Sequence, residues 1–203
     1  MGVSRPAVRE VLRALELLGI IKTVPGGGNY IADDLDSWLI GPLSILFKLN
    51  NGYIRQTQQL RAALEREMAI LAARKCTPLD AAELWRILSS IDKAEDEKTR
   101  GELDKELHTQ IAKIADNPMI YSVLAAADQL TENIIAGTRD YIMKKNRPEF
   151  KVDEQHRLLV EAIINNDEKG AEQYMSEHME IIEKCMDEMQ KNSNNKRPAN
   201  GIV

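Results

Sequence analysis

Aromatic side chains are scarce in this chain of 203 residues, at 4% of the total. Leu, Ile, Ala, Glu and Lys dominate instead, and that usage favours helix. Cysteine is scarcer still. Cys76 and Cys185 are the only 2, and they form no close-spaced motif. This excludes a disulfide framework and fits ordinary burial in a reducing cytoplasm. No apolar run reaches the roughly 18 residues of a membrane span, and the N-terminus has no signal-peptide core. Met1-Gly2 does not open a myristoylation motif, because Pro6 stands where that motif needs Ser or Thr. Positive charge is not in excess either. The formal net charge of -5 argues against wholesale nucleic-acid binding and leaves room for one local basic element. What remains is a globular chain, 43% hydrophobic and 29% charged, long enough for one good core or for a small domain beside a larger one.

Histidine is also rare, with 3 in the whole chain: His108, His156 and His178. Each lies in a separate stretch of helical pattern. Asp104 precedes His108 by four residues, so on a helix the two share a face about 6 Å apart along the axis. A helix bundle carries side chains from facing helices to one interior point. Asp104, His108, His156 and His178 are therefore expected to bind one divalent metal ion. A mixed nitrogen–oxygen set suits zinc or nickel first, and manganese or iron as well. The competing reading is three histidines serving as hydrogen-bonded core residues.

Along the chain, residues 4–18 read as a helix. Ser4 is its N-cap, Pro6 lies in its first turn, Val8, Val11, Leu12, Leu15 and Leu18 form its stripe, and Gly19 stands at its end. Arg5, Arg9 and Arg13 step along one face. Residues 20–24 and 29–32 read as strands of a hairpin around Pro25-Gly26-Gly27-Gly28. Residues 33–36 are a polar linker and 37–49 a short apolar helix. A long helix at 54–75 turns Leu60, Leu64, Met68, Leu71 and Ala72 to a core. Thr77 caps the next helix, which carries Leu79, Leu84, Ile87, Leu88 and Ile91. Residues 92–106, dense in both charge signs, read as a solvated helix end and loop. A helix marked by Leu103, Leu107, Ile111 and Ile114 then ends near Asp116-Asn117-Pro118. Residues 119–143 form one long or broken helix with a weak point at Gly137, and Asn146-Arg147-Pro148 is a break. Further helices cover 152–165 and 167–190, with Asp167 as N-cap, and a polar tail follows.

The run from Gly2 to Glu16, with Leu18-Gly19-Ile20-Ile21 and Pro25-Gly26-Gly27-Gly28, resembles the DNA-reading part of GntR-family bacterial transcription regulators. Residues 60–190 resemble the all-helical effector domain, called FCD, of the FadR branch of that family. There the matches are Leu60-Arg61, Leu64-Glu65, Leu71-Ala72-Ala73, Asp104 with His108, Asn117-Pro118, His156 and His178. The resemblance implies a mainly α protein. Residues 1–34 would be a partial winged helix-turn-helix, 35–190 an antiparallel helix bundle for effector binding and dimerisation, and 191–203 a flexible tail. A complete helix-turn-helix of that family has about two more helices before the recognition helix, so the chain reads as shortened at its start.

The resemblance also implies roles. Ser4, Arg5, Arg9, Gly26 and Gly27 would meet operator DNA, with the glycines letting backbone approach the duplex. Arg61 and Asn117 would meet a small carboxylate effector of the hydroxy-, keto- or dicarboxylic type. Each has a plainer use: Arg61 in an ion pair with Glu65 four residues on, Asn117 as a helix cap, and Arg13 paired with Glu10 or Glu16. The expected protein is a cytoplasmic homodimeric regulator, read as a repressor, and not an enzyme. The competing class is a metal-dependent hydrolase built on a bundle, in which the ion activates water.

Overall fold

The computed structural model describes residues 2, 4–32, 54–144 and 152–195. The linker expected at 33–36, the helix at 37–49 and the break at 146–148 lie outside the described residues.

Helix α1 (Arg5–Leu17) begins where Ser4 accepts a hydrogen bond from the Ala7 amide at 3.4 Å, with Pro6 in its first turn. It stops at Gly19, whose φ of 73° is open to glycine at little cost. Strands β1 (Ile21–Val24) and β2 (Gly28–Ile31) pair antiparallel, Val24 opposite Gly28. The turn between them uses φ of 76° at Gly26 and 109° at Gly28. Glu16 accepts from the Thr23 amide and ties the hairpin to α1. Helix α1 buries no residue, and Val8, Val11 and Leu18 are exposed.

The remaining described helices form a bundle: α2 (Ile54–Lys75), α3 (Pro78–Lys93), α4 (Glu97–Ala115), α5 (Pro118–Lys144), α6 (Val152–Ile164) and α7 (Glu168–Asn195). Helix α2 is its axle and packs against α4, α5, α6 and α7; α3 closes on α4 and α6. The core is Met68, Leu84, Ile87, Leu88, Ile91, Leu107, Ile111, Leu159, Ile163 and Met175, all buried. Each contributes about 1.5–3 kcal/mol by leaving water. Ala69, Ala72 and Ala73 on α2 are also buried, and their small size lets neighbouring helices approach closely.

The ends of these helices follow local chemistry. Thr77 and Asp80 make a reciprocal capping box for α3. Asp96 accepts from the Thr99 amide at 2.9 Å and starts α4. Between α6 and α7, Asn166 sits at φ 57° and donates from its side chain to the Ala73 carbonyl at 2.6 Å. Asp167 accepts from the Gly170 amide at 3.0 Å, so it is the N-cap the sequence pointed to. A Cβ at Gly170 would collide with the Asp167 carboxylate.

Several expectations are corrected. Residues 97–106 are helix, not loop. The mixed charges there are a solvated helical face, with Arg86–Glu106 and Arg100–Asp153 pairs reaching across to it. Leu60 is 40% exposed, because the inward stripe of α2 runs through Gln58, Arg61, Glu65, Met68 and Ala72. Leu79 is 84% exposed in the first turn of α3. Of the two readings of 119–143, one long helix or a broken one, the structure shows the first: α5 passes Gly137 unbroken, and Met189 packs 3.5 Å from where a Cβ there would stand. Helix α7 continues to Asn195, since no proline interrupts its hydrogen bonding before Pro198.

Candidate metal centre

Three helices each deliver one imidazole to the same point. His108 comes from α4, His156 from α6 and His178 from α7, and one ligand nitrogen of each lies within 4.8 Å of the others. Their ring centroids are 4.7 to 5.8 Å apart. Asp104, one turn before His108, brings Oδ1 to 2.9 Å from His156 Nε2. That approach is close but lacks hydrogen-bond alignment: both ring nitrogens of His156, and Nδ1 of His178, are buried without a hydrogen-bond partner. A buried polar group left so costs about 1–3 kcal/mol. Three imidazoles and a carboxylate facing one another make a nitrogen–oxygen donor set that suits a divalent ion.

The sequence reading treated Glu65 only as a partner for Arg61. The structure also gives it His108. Glu65 Oε2 accepts from His108 Nδ1, which leaves Nε2 as the lone-pair donor. A carboxylate on the far nitrogen of a metal-ligating imidazole fixes the tautomer and raises its basicity. Burial works against charge on Glu65, yet His108 and Arg61 hold its carboxyl down to about 2. Burial likewise opposes protonation of His108, and Glu65 overcomes it, raising the metal-free imidazole to about 9. His178 is pushed well below its ordinary value by burial and by the other two histidines, so it stays neutral and free to donate a lone pair.

Arg61 is buried beside this centre, and every nitrogen of its guanidinium is engaged. Nη2 donates to Glu65 Oε1 at 2.7 Å, Nη1 to Gln58 Oε1 at 3.0 Å, and Nε to Asp128 on α5. Burial would lower its pKa, but Glu65 and Asp128 raise it, so the charge is fixed. Gln58 and Asp128 were not singled out from the sequence. Gln58 stands one turn before Arg61 on an inward stripe, a legible signal, whereas nothing in the sequence pairs Asp128 with α2.

Asn117 is spent locally. Its side chain accepts from the Ile120 amide at 3.2 Å and caps α5, beyond the C-terminal end of α4. Ser4 is likewise a cap. Arg5 and Arg9 are exposed on α1 and make no ion pair among the described residues, whereas Arg13 pairs with Glu10 at 3.2 Å. Gly26 and Gly27 sit at the exposed hairpin tip, where a Cβ at Gly27 would press on Val24 at 3.0 Å. Among the described residues, no helix is long and apolar enough to cross a membrane.

Comparison with known proteins agrees with this architecture. Residues 56–181 match the FCD domain family. An uncharacterised HTH-type transcriptional regulator of Bacillus subtilis, YcbG, is 30% identical over 90% of this chain and 74% of its own length. A putative L-lactate dehydrogenase operon regulatory protein of Escherichia coli is 25% identical over 92% of this chain and 73% of its length. The structure of a GntR protein from Streptococcus agalactiae superposes with a TM-score of 0.67 at 24% identity, covering 90% of this chain and 82% of that one, and shares the fold. These relatives and fold neighbours are regulators of transcription rather than enzymes. The chain belongs to the FCD-domain family of GntR-type transcriptional regulators.

Proposed function

We propose that this regulator is switched by a small carboxylate bound beside a divalent ion inside its helical bundle. Asp104, His108, His156 and His178 hold the ion, zinc or nickel first. The observation that carries this reading is the convergence of three imidazoles, with both nitrogens of buried His156 and Nδ1 of buried His178 left without a hydrogen-bond partner. The family points the same way, since FCD domains are generally metal-binding. When bound, the ion supplies a Lewis-acidic seat for a carboxylate oxygen, and Arg61 next to it supplies the fixed positive charge. The E. coli relative named for an L-lactate dehydrogenase operon supports a hydroxy acid as one candidate class.

In the same reading, α1 and the hairpin form the DNA-contacting part of a winged helix-turn-helix. Arg5 and Arg9 meet phosphates and base edges, Ser4 and the tip glycines Gly26 and Gly27 lie against the backbone, and a cytoplasmic homodimer reads a two-fold operator. Asn117 is kept as a second effector contact only at the rim, since its oxygen is already spent as a cap. The effector then acts as a derepressing ligand.

Metal analysis of purified protein should return about one divalent ion per chain. Calorimetry with L-lactate, pyruvate and succinate should show binding of at least one acid, which Arg61→Ala abolishes while metal content holds. A metal-free protein whose stability is indifferent to added zinc and nickel would remove the central claim.

A further inference from the structure

The single N–H on Nε of Arg61 is occupied by Asp128. Asp128, Gln58 and Glu65 take three of its five N–H donors, so an incoming carboxylate can make two parallel bonds along the edge that carries Nε only if the acid already there lets go. The three differ in how easily they can leave. Glu65 is 3% exposed at its side chain and also holds His108, so releasing it would strand two buried charges. Gln58 is 3% exposed, and its Nε2 is already buried without a partner. Asp128 is 34% exposed at its side chain, and a rotation takes its carboxylate to water. Exchanging it for an external carboxylate also leaves the charge around Arg61 unchanged.

We infer that Asp128 is an internal stand-in for the effector: its carboxylate occupies Arg61 in the ligand-free protein and is expelled when the ligand arrives. The inference rests on the effector role proposed above for Arg61. Asp128 belongs to α5 and Arg61 to α2, so the exchange removes a tie between these two helices. Ligand arrival is thereby converted into loosening of α5. Asp128 also sets the affinity, because a carboxylate that grips this edge must compete with it. Acids gain from its removal, whereas uncharged analogues, which do not contest Arg61, do not.

The test compares metal-loaded wild type, Asp128→Asn and Arg61→Ala by calorimetry against L-lactate, pyruvate and succinate, with lactamide as the uncharged control. Asn has the shape of Asp without its charge, and Asp128→Ser serves if it folds poorly. The variant should bind at least one of the acids about tenfold tighter, the scale expected on removing a like charge at hydrogen-bond distance, with lactamide unchanged. Hydrogen exchange in residues 118–129 should rise with ligand in wild type and should not rise further in Asp128→Asn. If Asp128 is only a structural staple, the acids bind the variant equally or more weakly, and the inference is overturned. The two readings fail separately. Binding that survives Arg61→Ala removes the effector site itself. Binding lost in Arg61→Ala without a gain in Asp128→Asn removes only the stand-in.

Discussion

Helix α2 is two helices in character. Its first half buries Gln58, Arg61 and Glu65; its second buries Met68, Ala69, Ala72 and Ala73. Both halves sit in the same bundle, yet they are held by different forces. The second half is stabilised by apolar contact, which is tolerant of polarity changes nearby and sensitive to volume. The first half is a chain of charges, Asp128 to Arg61 to Glu65 to His108, in which each member satisfies the next. Such a chain adds little net stability but is costly to interrupt, because a lost member leaves a buried charge behind. One end of the bundle is therefore built to stay folded and the other to respond.

The largest test of that division is His156→Ala. It should take bound metal from about one ion per chain to almost none, measured by plasma emission, while the refolded core keeps its helical circular dichroism. Next, Met68→Ala in the apolar half should lower unfolding free energy by about 2–5 kcal/mol in urea titration and leave metal stoichiometry unchanged. Metal loss there would show that the halves are not separable. Glu65→Gln is smaller and opposite in kind: metal affinity should fall about 10–100-fold, read by chelator competition, as a ligand's orienting carboxylate loses its charge.

The pH response sharpens the contrast further. Metal-free His108 is raised to about 9 from 6.5, with burial opposing and Glu65 prevailing. A raised folded value means its contribution is complete below about 6.5 and is lost as pH climbs through about 9. Bound metal replaces that proton. Thermal unfolding should thus show the metal-free protein weakening between pH 6.5 and 9 while the increment due to metal grows. A metal increment that is flat with pH would show that His108 is not a ligand. The least change is expected from Thr77→Ala, about 1 kcal/mol for one lost cap, with no effect on the metal.

Much of this was legible from residues alone. Caps at Ser4, Thr77 and Asp167 announce themselves by residue type and position, and so does the glycine-tipped hairpin. The histidines were legible because they are so few. The charge chain was not. Periodicity ranks Leu60 above Arg61 as a core residue, since hydrophobicity cannot register that a guanidinium is neutralised by groups from other helices. The partnership of Arg61 with Asp128 spans 67 residues and two helices, and no local pattern encodes it. The helix at 97–106 was missed for a related reason: its charges find their partners on α3 and α6, outside any local window.

The turn between α6 and α7 has a bearing on how such a chain can change over generations. Surface turns are usually where insertions and deletions are absorbed without harm. This one is pinned by Asn166 to the end of α2 and closed by Asp167 over Gly170. It also fixes the phase between His156 and His178. One residue gained or lost there would have to be taken up within the turn, or it would swing His178 by about 100° around its helix. The length of this segment is thus inherited under the same constraint as the histidines themselves, although none of its own residues touches them.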